Sequence, residues 1–425
     1  MNRASGHLCA PRRAAVDGSR KVTPGGRHEA TISPGVPHAH DPPLRVVRVL
    51  AKLEPGGAQL TALRLTRALG RHRVQVTVLA GEASERGIEL FARAGVPVGV
   101  WGGEAGLQYG CSAAFSEWLE PRLAEADLVH AHMFGAWRAA ARAIRSGVPL
   151  VASEHNSLDW PGEPCEVEAR AALVRVDRFF AHGPEAGRFA LERGLPSARL
   201  AEGLSIIDPR VPEPHRALIS PRLVYAGRLH EEKGPDVLLE ALARMSSPPT
   251  TYLLGCGPME AELRRQAAGL GLDPVVRFSG WCEEPSRWLR GAAACVVPSR
   301  REAWSQTAVQ AMALGTPVVG SDVEGLPLTL GEGRGLIVEA EDPEALASAL
   351  SAVVSRRRVP DLAAARRYSI RFHPEPVAAI YARTYRALVE SRRRPLPGRG
   401  ARPDRRARAA LGAGPRGRPS PRATA

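Results

Sequence analysis

Residues 297–320 read VPSRREAWSQTAVQAMALGTPVVG and place an acid and a polar loop at the start of a predicted helix. The free N–H groups and the positive dipole end of a helix bind anions, so we expect the amides of Ser305, Gln306 and Thr307 to hold a phosphate. Glu302 lies close enough in the sequence to accept hydrogen bonds from hydroxyls beside that phosphate. A phosphate next to hydroxyls indicates a nucleotide sugar as the ligand.

Two cations follow a predicted strand in the segment YAGRLHEEKGPDVLLEAL. Arg228 offers a forked guanidinium and Lys233 a point charge, so together they could neutralise a diphosphate. The alternative is a solvated pair in a charged loop, next to Glu231 and Glu232. Both interpretations stay open at the level of sequence.

Two glycine turns also lead from strands into helices. Gly56 and Gly57 follow the first strand, and Gly255 and Gly257 lie in LLGCGPMEAEL. A turn without Cβ atoms lets the backbone approach a phosphate, so these four glycines are candidate donor-binding residues. The alternative is a purely structural turn, since neither segment has the G-x-G-x-x-G spacing of a dinucleotide fold.

Histidines occur at two predicted strand ends. His130 and His132 alternate on one strand, and for these a core or surface role is the simpler interpretation. His155 ends the next strand, in Ser153-Glu154-His155-Asn156, where it could bind a donor hydroxyl or orient an acceptor. We see no D-x-D motif on a loop near the predicted cleft, so we predict no metal site and a metal-independent reaction.

The net charge of +14 and the pI near 10.3 would ordinarily indicate a nucleic acid or an acidic membrane as partner. The charge lies in the tails, because residues 391–425 carry eleven Arg and one Asp, and residues 1–43 carry six basic and three acidic residues. The body between them is near neutral. We therefore predict no nucleic-acid partner, and read the Arg-rich tail as a solvated extension, with weak peripheral membrane contact as the alternative.

The cysteine spacing and the hydropathy of the chain allow a prediction of its cellular compartment. The six cysteines have no C-x-x-C spacing, so neither a disulfide framework nor a metal cluster is expected. We find no apolar run that approaches 18 residues and no signal-peptide core. These features predict a cytoplasmic protein with reduced thiols.

Strands and helices alternate twice along the chain, which indicates an α/β fold with two doubly wound, Rossmann-like domains facing across a cleft. A proline-rich stretch separates the two sets. The predicted organisation is a disordered basic extension over 1–43, an acceptor domain over 44–205, a linker over 206–221, a donor domain over 222–372, a helix over 373–390 that packs back onto the first domain, and a disordered tail over 391–425.

Taken in order, GGAQ, EHN, GRLHEEKG, LLGCGP, FSGW and the segment from Glu302 to Gly315 resemble the motif series of the GT-B retaining glycosyltransferases of family 4. The resemblance covers about residues 44–390. It implies the GT-B fold, a nucleotide-sugar donor and transfer with retention of anomeric configuration.

The resemblance also implies roles for individual residues. Arg228 and Lys233 would neutralise the donor diphosphate, while Gly57 closes over it from the other domain. Glu302 would bind hydroxyls of the donor sugar, and His155 would lie beside the reacting sugar. The amides at residues 305–307 would cradle the diphosphate.

Two departures from the family pattern affect the donor site. Gln310 stands where the family usually has a second glutamate, at the position that binds the nucleotide ribose. Ala303-Trp304-Ser305 stands where glycine and an aromatic residue are common. A Gln amide both accepts and donates hydrogen bonds, so we expect a ribose to bind still, and Gln310→Glu to preserve or improve the affinity for the donor.

The substrates are less well defined by the sequence. The expected donor is UDP-N-acetylglucosamine or UDP-glucose. The SQTAVQAMALGTPVVG segment is similar to those of aminocyclitol-antibiotic glycosyltransferases, so the expected acceptor is a hydroxyl of a small polar molecule, such as an aminocyclitol in aminoglycoside antibiotic biosynthesis. A cell-envelope or small-thiol precursor is the alternative acceptor. A non-catalytic nucleotide-sugar binding protein and a nucleotide-sugar epimerase are alternatives of other classes.

The acceptor is expected against two loops of the first domain, over residues 102–111 and 158–166. Four acidic residues near that wall would suit a cationic acceptor, although a solvated loop explains them equally well. They are Glu154, Asp159, Glu163 and Glu166.

Overall fold

The computed structural model describes residues 42–103, 106, 110, 112–156, 163–215 and 221–393, with the backbone alone for residues 163–165. The predicted basic extension, most of the Arg-rich tail and much of the two acceptor loops lie outside the described residues. The predicted roles of these segments therefore stay predictions.

The first sheet contains seven strands. They are β1 (Leu44–Leu53), β2 (Val74–Ala83), β3 (Val98–Val100), β4 (Leu128–His132), β5 (Leu150–Glu154), β6 (Arg178–Ala181) and β7 (Leu200–Glu202). The helices that connect them are α1 (Gly57–Leu69), α2 (Glu85–Arg93), α3 (Ala113–Leu123), α4 (Phe134–Ala143), α5 (Glu163–Arg175) and α6 (Pro184–Glu192). The strand order is β3-β2-β1-β4-β5-β6-β7. We call this sheet and these helices the first lobe.

The second sheet contains six strands. They are β8 (Arg222–Ala226), β9 (Thr250–Leu254), β10 (Val276–Gly280), β11 (Ala294–Val297), β12 (Val318–Ser321) and β13 (Leu336–Val338), in the order β10-β9-β8-β11-β12-β13. Its helices are α7 (Pro235–Arg244), α8 (Glu260–Gly269), α9 (Pro285–Leu289), α10 (Gln306–Ala313), α11 (Leu326–Leu330), α12 (Pro343–Val354) and α13 (Leu362–Ser369). We call this sheet and these helices the second lobe.

Every strand pairing among the described residues is parallel. The central strands are continuous apolar runs because helices cover both faces of a parallel sheet. In each sheet the strand order reverses beside the first strand, between β1 and β4 and between β8 and β11. Ligands of such folds bind at the carboxyl ends of the strands at this reversal. The predicted doubly wound α/β fold is confirmed.

The chain returns to the first lobe at its end. Residues 203–215 form neither helix nor strand, and α14 (Pro374–Arg393) follows the second lobe. Tyr381 and Tyr385 of α14 are buried, and Tyr381 packs against Phe180 of β6 with ring centroids 4.4 Å apart. The limits set for the two domains from the sequence stay predictions.

Several short elements are absent from the sequence-based prediction, namely α2, α6, β7 and α13. The start of α2 has a recognisable signal, because the Ser84 hydroxyl accepts a hydrogen bond from the Gly87 amide at 3.1 Å, as an N-cap does. Phe91 is the large buried side chain on this helix. The helix matters for function because it forms part of the wall of the cavity described next.

Candidate functional site

A cavity of about 260 Å³ lies between the two lobes, at the carboxyl ends of β1 in the first lobe and of β8 and β11 in the second. Ten of the twelve predicted site residues line it: Gly56, Gly57, Arg228, Lys233, Gly255, Glu302, Ser305, Gln306, Thr307 and Gln310. Two do not, His155 and Gly257. Sequence reasoning therefore identified ten of the 26 residues that line the cavity.

Lys233 and Glu302 meet in this cavity. The Lys233 ammonium lies 3.1 Å from Oε2 of Glu302, and it also donates to the Arg301 carbonyl at 3.3 Å. The Ser299 hydroxyl donates to the same carboxylate oxygen at 3.3 Å. Both charged side chains are mostly buried, with 22% of the Lys233 side chain and 13% of the Glu302 side chain exposed. The cation is held in place while still reaching the cavity.

The loop after β8 brings Lys233 to this position. A single 3₁₀ turn, Glu231–Lys233, is followed by Gly234 in the left-handed region at φ +60°. A Cβ atom on Gly234 would lie 2.0 Å from the Pro298 carbonyl oxygen, at the end of β11. Only glycine allows this approach, and it places the cationic loop beside the loop that carries Glu302.

Arg228 is held differently from Lys233. Its guanidinium pairs with the Glu232 carboxylate four residues later, and 62% of its side chain is exposed. An exposed pair of this kind contributes little to stability, so the guanidinium is free to reorient toward an anion. Arg228 and Lys233 therefore each have a carboxylate partner in the described structure.

The first turn of α10 faces the same cavity. The Ser305 hydroxyl caps the helix by accepting from the Ala308 amide at 3.3 Å. The Thr307 hydroxyl donates to the Ala226 carbonyl at 2.8 Å, which fixes the helix start against the end of β8. Across the cavity, a Cβ atom on Gly57 would lie 3.4 Å from Oε1 of Gln306, so the two lobes approach closely here. The positive end of the helix therefore faces an enclosed space.

The second glycine turn has mainly a structural role. A Cβ atom on Gly255 would lie 1.9 Å from the Gly227 carbonyl oxygen, and one on Gly257 would lie 2.2 Å from the Leu229 carbonyl oxygen. Both glycines are required because two loops pack backbone to backbone. Gly255 still lines the cavity, but Gly257 lies outside it, so the prediction of Gly257 as a donor-binding residue is not supported by its position.

Gln310 is already engaged with the connection between the lobes. Its Oε1 accepts from the Asp208 amide at 2.8 Å, and its Nε2 donates to the Asp208 carbonyl at 2.9 Å. The neighbouring Gln306 Nε2 and the Arg64 guanidinium both donate to the Ile206 carbonyl, at 3.0 and 2.9 Å. No local pattern in the sequence predicts these contacts, which join α10 and α1 to the segment that connects the two lobes.

This pairing changes the expectation for a glutamate at position 310. In Gln310→Glu a carboxylate would still accept from the Asp208 amide but could not donate to the Asp208 carbonyl, and the two oxygens would repel. Because the side chain is buried, we expect a loss of roughly 1–3 kcal/mol of unfolding free energy. Urea unfolding measures this, with the exposed Gln75→Glu as the matched control. Equal midpoints for the two variants would show that the Asp208 pairing contributes nothing.

His155 packs against other histidines and is not among the residues that line the cavity. Its Nε2 lies 3.1 Å from Nδ1 of His132, and its ring stacks on that of His182 with centroids 3.8 Å apart. The His130 ring in turn lies 4.2 Å from that of His132. We call His130, His132, His155 and His182 the imidazole stack. Its position at the ends of β4, β5 and β6 is close to the expected edge, but His155 does not line the cavity as predicted.

The imidazole stack is neutral. Burial, and then the charge of Arg48, lower the pKa of His155 to about 3. Burial likewise holds the pKa values of His130, His132 and His182 well below the usual 6.5. Nε2 of His132 and Nε2 of His182 are both buried without a hydrogen-bond partner. Neutral rings can donate or accept a hydrogen bond but add no positive charge to the site.

The acidic residues near the predicted acceptor wall do not form a cation site in the described structure. Glu154 is fully buried, where it accepts from the Trp137 indole at 3.2 Å, and burial raises its pKa to about 7. Glu166 pairs with Arg170 and Arg193. The Asp159 residue and the side chain of Glu163 lie outside the described part of the chain.

Contacts across the rim of the cavity join α2 to the loop after β10. The Arg93 guanidinium pairs with the Glu283 carboxylate at 2.7 Å, and the Arg86 guanidinium lies 5.8 Å from the centre of the Trp281 ring. All four residues line the cavity. Sequence reasoning missed Arg86 and Arg93 because α2 was not predicted, and Glu283 because it lies beyond the FSGW motif, which ends at Trp281.

We find no group of three or more His, Cys, Asp or Glu residues that could hold a metal ion in the part of the chain that is described. The described helices include none long and apolar enough to cross a membrane. Metal independence of the reaction stays a prediction.

Comparisons with known proteins agree with this geometry. Residues 55–201 match the family described as Glycosyltransferase Family 4, and residues 220–356 match the one described as Glycosyl transferases group 1. A protein of Streptomyces scabiei named D-inositol 3-phosphate glycosyltransferase is 32% identical over 327 residues, which span 65% of this chain and 71% of the relative. The protein of the same name from Streptomyces avermitilis is 31% identical over 331 residues, spanning 65% and 68%.

Solved structures share the fold. The Anabaena protein HepE in complex with UDP-glucose superimposes with a TM-score of 0.68 at 19% identity, covering 81% of this chain and all of that one. Sucrose-phosphate synthase from Thermosynechococcus elongatus gives a TM-score of 0.65 at 21% identity, covering 82% and 100%. The two lobes and the cavity between them are therefore those of a GT-B glycosyltransferase that uses a nucleotide sugar. The chain belongs to glycosyltransferase family 4, the group 1 glycosyl transferases.

Proposed function

We propose that this enzyme transfers a hexosyl group from a UDP-sugar to a hydroxyl of a small cyclitol, with retention of anomeric configuration and without a metal ion. The observation that carries the proposal is the 3.1 Å contact between the Lys233 ammonium and the Glu302 carboxylate inside the interlobe cavity. In this proposal the Lys233 ammonium stabilises the leaving diphosphate, and the neighbouring Glu302 carboxylate binds the hydroxyls of the sugar.

The leaving group is stabilised by fixed positive charge. When the glycosidic bond to the β-phosphate breaks, negative charge develops on the diphosphate. Lys233, the Arg228 guanidinium and the first turn of α10 face the space that it would occupy. Lys233 and the amides of α10 accelerate the reaction because they are oriented before the charge appears. The exposed Arg228 completes the site by exchanging Glu232 for a phosphate.

UDP is the proposed nucleotide, because HepE, a protein of the same fold, was solved with UDP-glucose. In this chain the Gln310 amide is paired with the linker, so ribose recognition would use its remaining lone pair and N–H group. UDP-glucose and UDP-N-acetylglucosamine remain the two favoured donors.

The relatives support a cyclitol acceptor, since they are named for D-inositol 3-phosphate. Such an acceptor is anionic, which agrees with the absence of an exposed acidic cluster among the described residues at this wall. This favours the small-thiol precursor alternative over the aminocyclitol one. An aminocyclitol would be cationic and stays the competing acceptor.

A donor and acceptor panel tests the function. Purified protein without added metal is incubated with UDP-glucose or UDP-N-acetylglucosamine and with D-inositol 3-phosphate, inositol or an aminocyclitol, and UDP release and product stereochemistry are measured. We expect UDP release that depends on the cyclitol phosphate and an α-linked product from the α-linked donor. Binding of UDP without any turnover would favour a non-catalytic protein. A new sugar nucleotide formed without acceptor would indicate an epimerase.

A further inference from the structure

Arg48 is a buried arginine on β1, the central strand of the first lobe, with none of its surface exposed. Its Nη1 donates to the Ala62 carbonyl at 2.7 Å, its Nη2 to the Tyr385 hydroxyl at 3.5 Å, and its Nε has no partner. In the described residues it forms no ion pair with a carboxylate. A buried charge without a counter-ion is strongly unfavourable, so its presence needs a reason beyond stability.

A line of contacts connects Arg48 to the imidazole stack. The Tyr385 hydroxyl, which Arg48 approaches, lies 2.6 Å from Nδ1 of His130. Nε2 of His130 lies 2.8 Å from the Ser153 hydroxyl. Arg48 and His130 are also direct neighbours in the register of β1 and β4. The line therefore joins α14 to three strands of the first lobe.

The chemistry of the donors fixes one tautomer along this line. A guanidinium has no acceptor, so Arg48 must donate to the Tyr385 oxygen. The hydroxyl proton of this buried Tyr385 is satisfied when it goes to Nδ1 of His130, so the arrangement that leaves no buried hydroxyl proton without an acceptor has Nδ1 unprotonated. The proton of this neutral ring therefore lies on Nε2, which donates to Ser153.

The fixed ring of His130 supports the rest of the stack. The rings of His130 and His132 contact each other with centroids 4.2 Å apart, tilted by 32°, and Nδ1 of His132 is 3.1 Å from Nε2 of His155. Any rotation or protonation of His130 would be transmitted to His155 through these contacts. Packing of this kind holds a functional side chain in one orientation.

We propose that Arg48 is a positioning residue for the transfer reaction: through Tyr385 and His130 it holds the imidazole stack in one neutral arrangement and so sets the orientation of His155. This inference rests on the proposed function and on the role beside the reacting sugar that the family resemblance implies for His155. It also makes the docking of α14, which carries Tyr385, a condition for an ordered site.

Among the described residues, the charged and titratable groups around the stack are consistent with this role. The groups that face it are Arg48 from β1, Tyr381 and Tyr385 from α14, Glu154 from β5, and the histidines themselves. Burial raises the pKa of Tyr385 to about 12, so it stays a neutral donor. The pKa of His130 is lowered first by burial and then by the Arg48 charge. Among these groups only Glu154 could offset a cation, and its own pKa is raised to about 7.

The test compares Arg48→Met, which removes the charge, with Arg48→Lys, which keeps it, and Tyr385→Phe, which removes the hydroxyl. We expect Arg48→Met and Tyr385→Phe to lower kcat by roughly tenfold or more, with little change in UDP affinity, and Arg48→Lys to restore part of the loss. Because the Arg48 charge lowers the pKa values of His130 and His155, the acid limb of the kcat profile against pH should move to higher pH in Arg48→Met. Tyr368→Phe, on α13, is the control and should leave both kcat and its pH profile unchanged.

Nitrogen NMR of the histidine rings gives a readout that does not require turnover. In the unsubstituted protein His130 should carry its proton on Nε2, and Tyr385→Phe should produce a mixture of tautomers. A His130 ring protonated on Nδ1 in the unsubstituted protein overturns the proposal, even if the Arg48 variants do not fold. The expected tautomer in a protein that shows no transfer would instead overturn the proposed function alone.

Discussion

Replacement of Lys233 by alanine is expected to lower kcat/KM for glycosyl transfer by roughly a hundredfold or more. The reason is the loss of a cation that is fixed before the leaving diphosphate develops its charge, a contribution that typically reaches this size. The ammonium is held by the Glu302 carboxylate and the Arg301 carbonyl, so no rearrangement is needed during the reaction. Steady-state UDP release with saturating acceptor measures the effect.

The chain offers a matched control for this experiment. Lys52 also pairs with a nearby acid, with its ammonium 3.1 Å from the Glu54 carboxylate, but it does not line the cavity. Lys52→Ala should therefore keep near-normal activity. A Lys233→Ala variant as active as this control would remove the proposed role of the cation.

Arg228 should matter less than Lys233. Its side chain is 62% exposed, whereas that of Lys233 is 22% exposed. An exposed, mobile guanidinium must be ordered when the donor binds, which offsets part of its electrostatic contribution. The sequence treats the two cations as equivalent, and only their burial separates them.

The proximity of Lys233 and Glu302 could be predicted because it follows from the order of the strands in the sheet. The carboxyl ends of β8 and β11 are adjacent at the strand reversal, so loops that follow these strands must meet. Recognising strands from apolar runs was sufficient to bring the two side chains together. The position of Gly57 opposite the start of α10 was, by contrast, implied by the resemblance to family 4.

The surroundings of Gln310 and His155 could not be predicted in this way. Gln310 pairs with Asp208, about a hundred residues away, because the connection between the lobes passes over α10. The His155 ring stacks on that of His182, which follows a different strand. Neither contact has a local pattern, since both depend on how irregular segments fold over the sheet ends. A short polar segment has the same sequence signature whether it faces a ligand or another loop.

We propose that the carboxylates of the candidate site take part in its function as well as its structure. In the described structure Glu302 holds Lys233 and Glu232 holds Arg228. A bound diphosphate would compete with both acids for their cations. The two pairs thus keep the positive charges in position and limit the repulsion between them until the donor arrives.

Substitution of Glu302 by glutamine separates the two roles of this acid. We expect kcat/KM for transfer to fall by roughly 10- to 100-fold, because hydrogen bonds from sugar hydroxyls to a charged acceptor contribute about 1.5–3 kcal/mol. UDP affinity should stay the same or become tighter, since Lys233 is released from its carboxylate partner while remaining in the cavity. Calorimetric titration with UDP, together with kinetics on UDP-glucose, measures both effects. Glu344→Gln, at an exposed acid on α12, is the control. If Glu302→Gln weakens UDP as much as it slows transfer, the acid acts by holding Lys233 in place and not by binding the sugar.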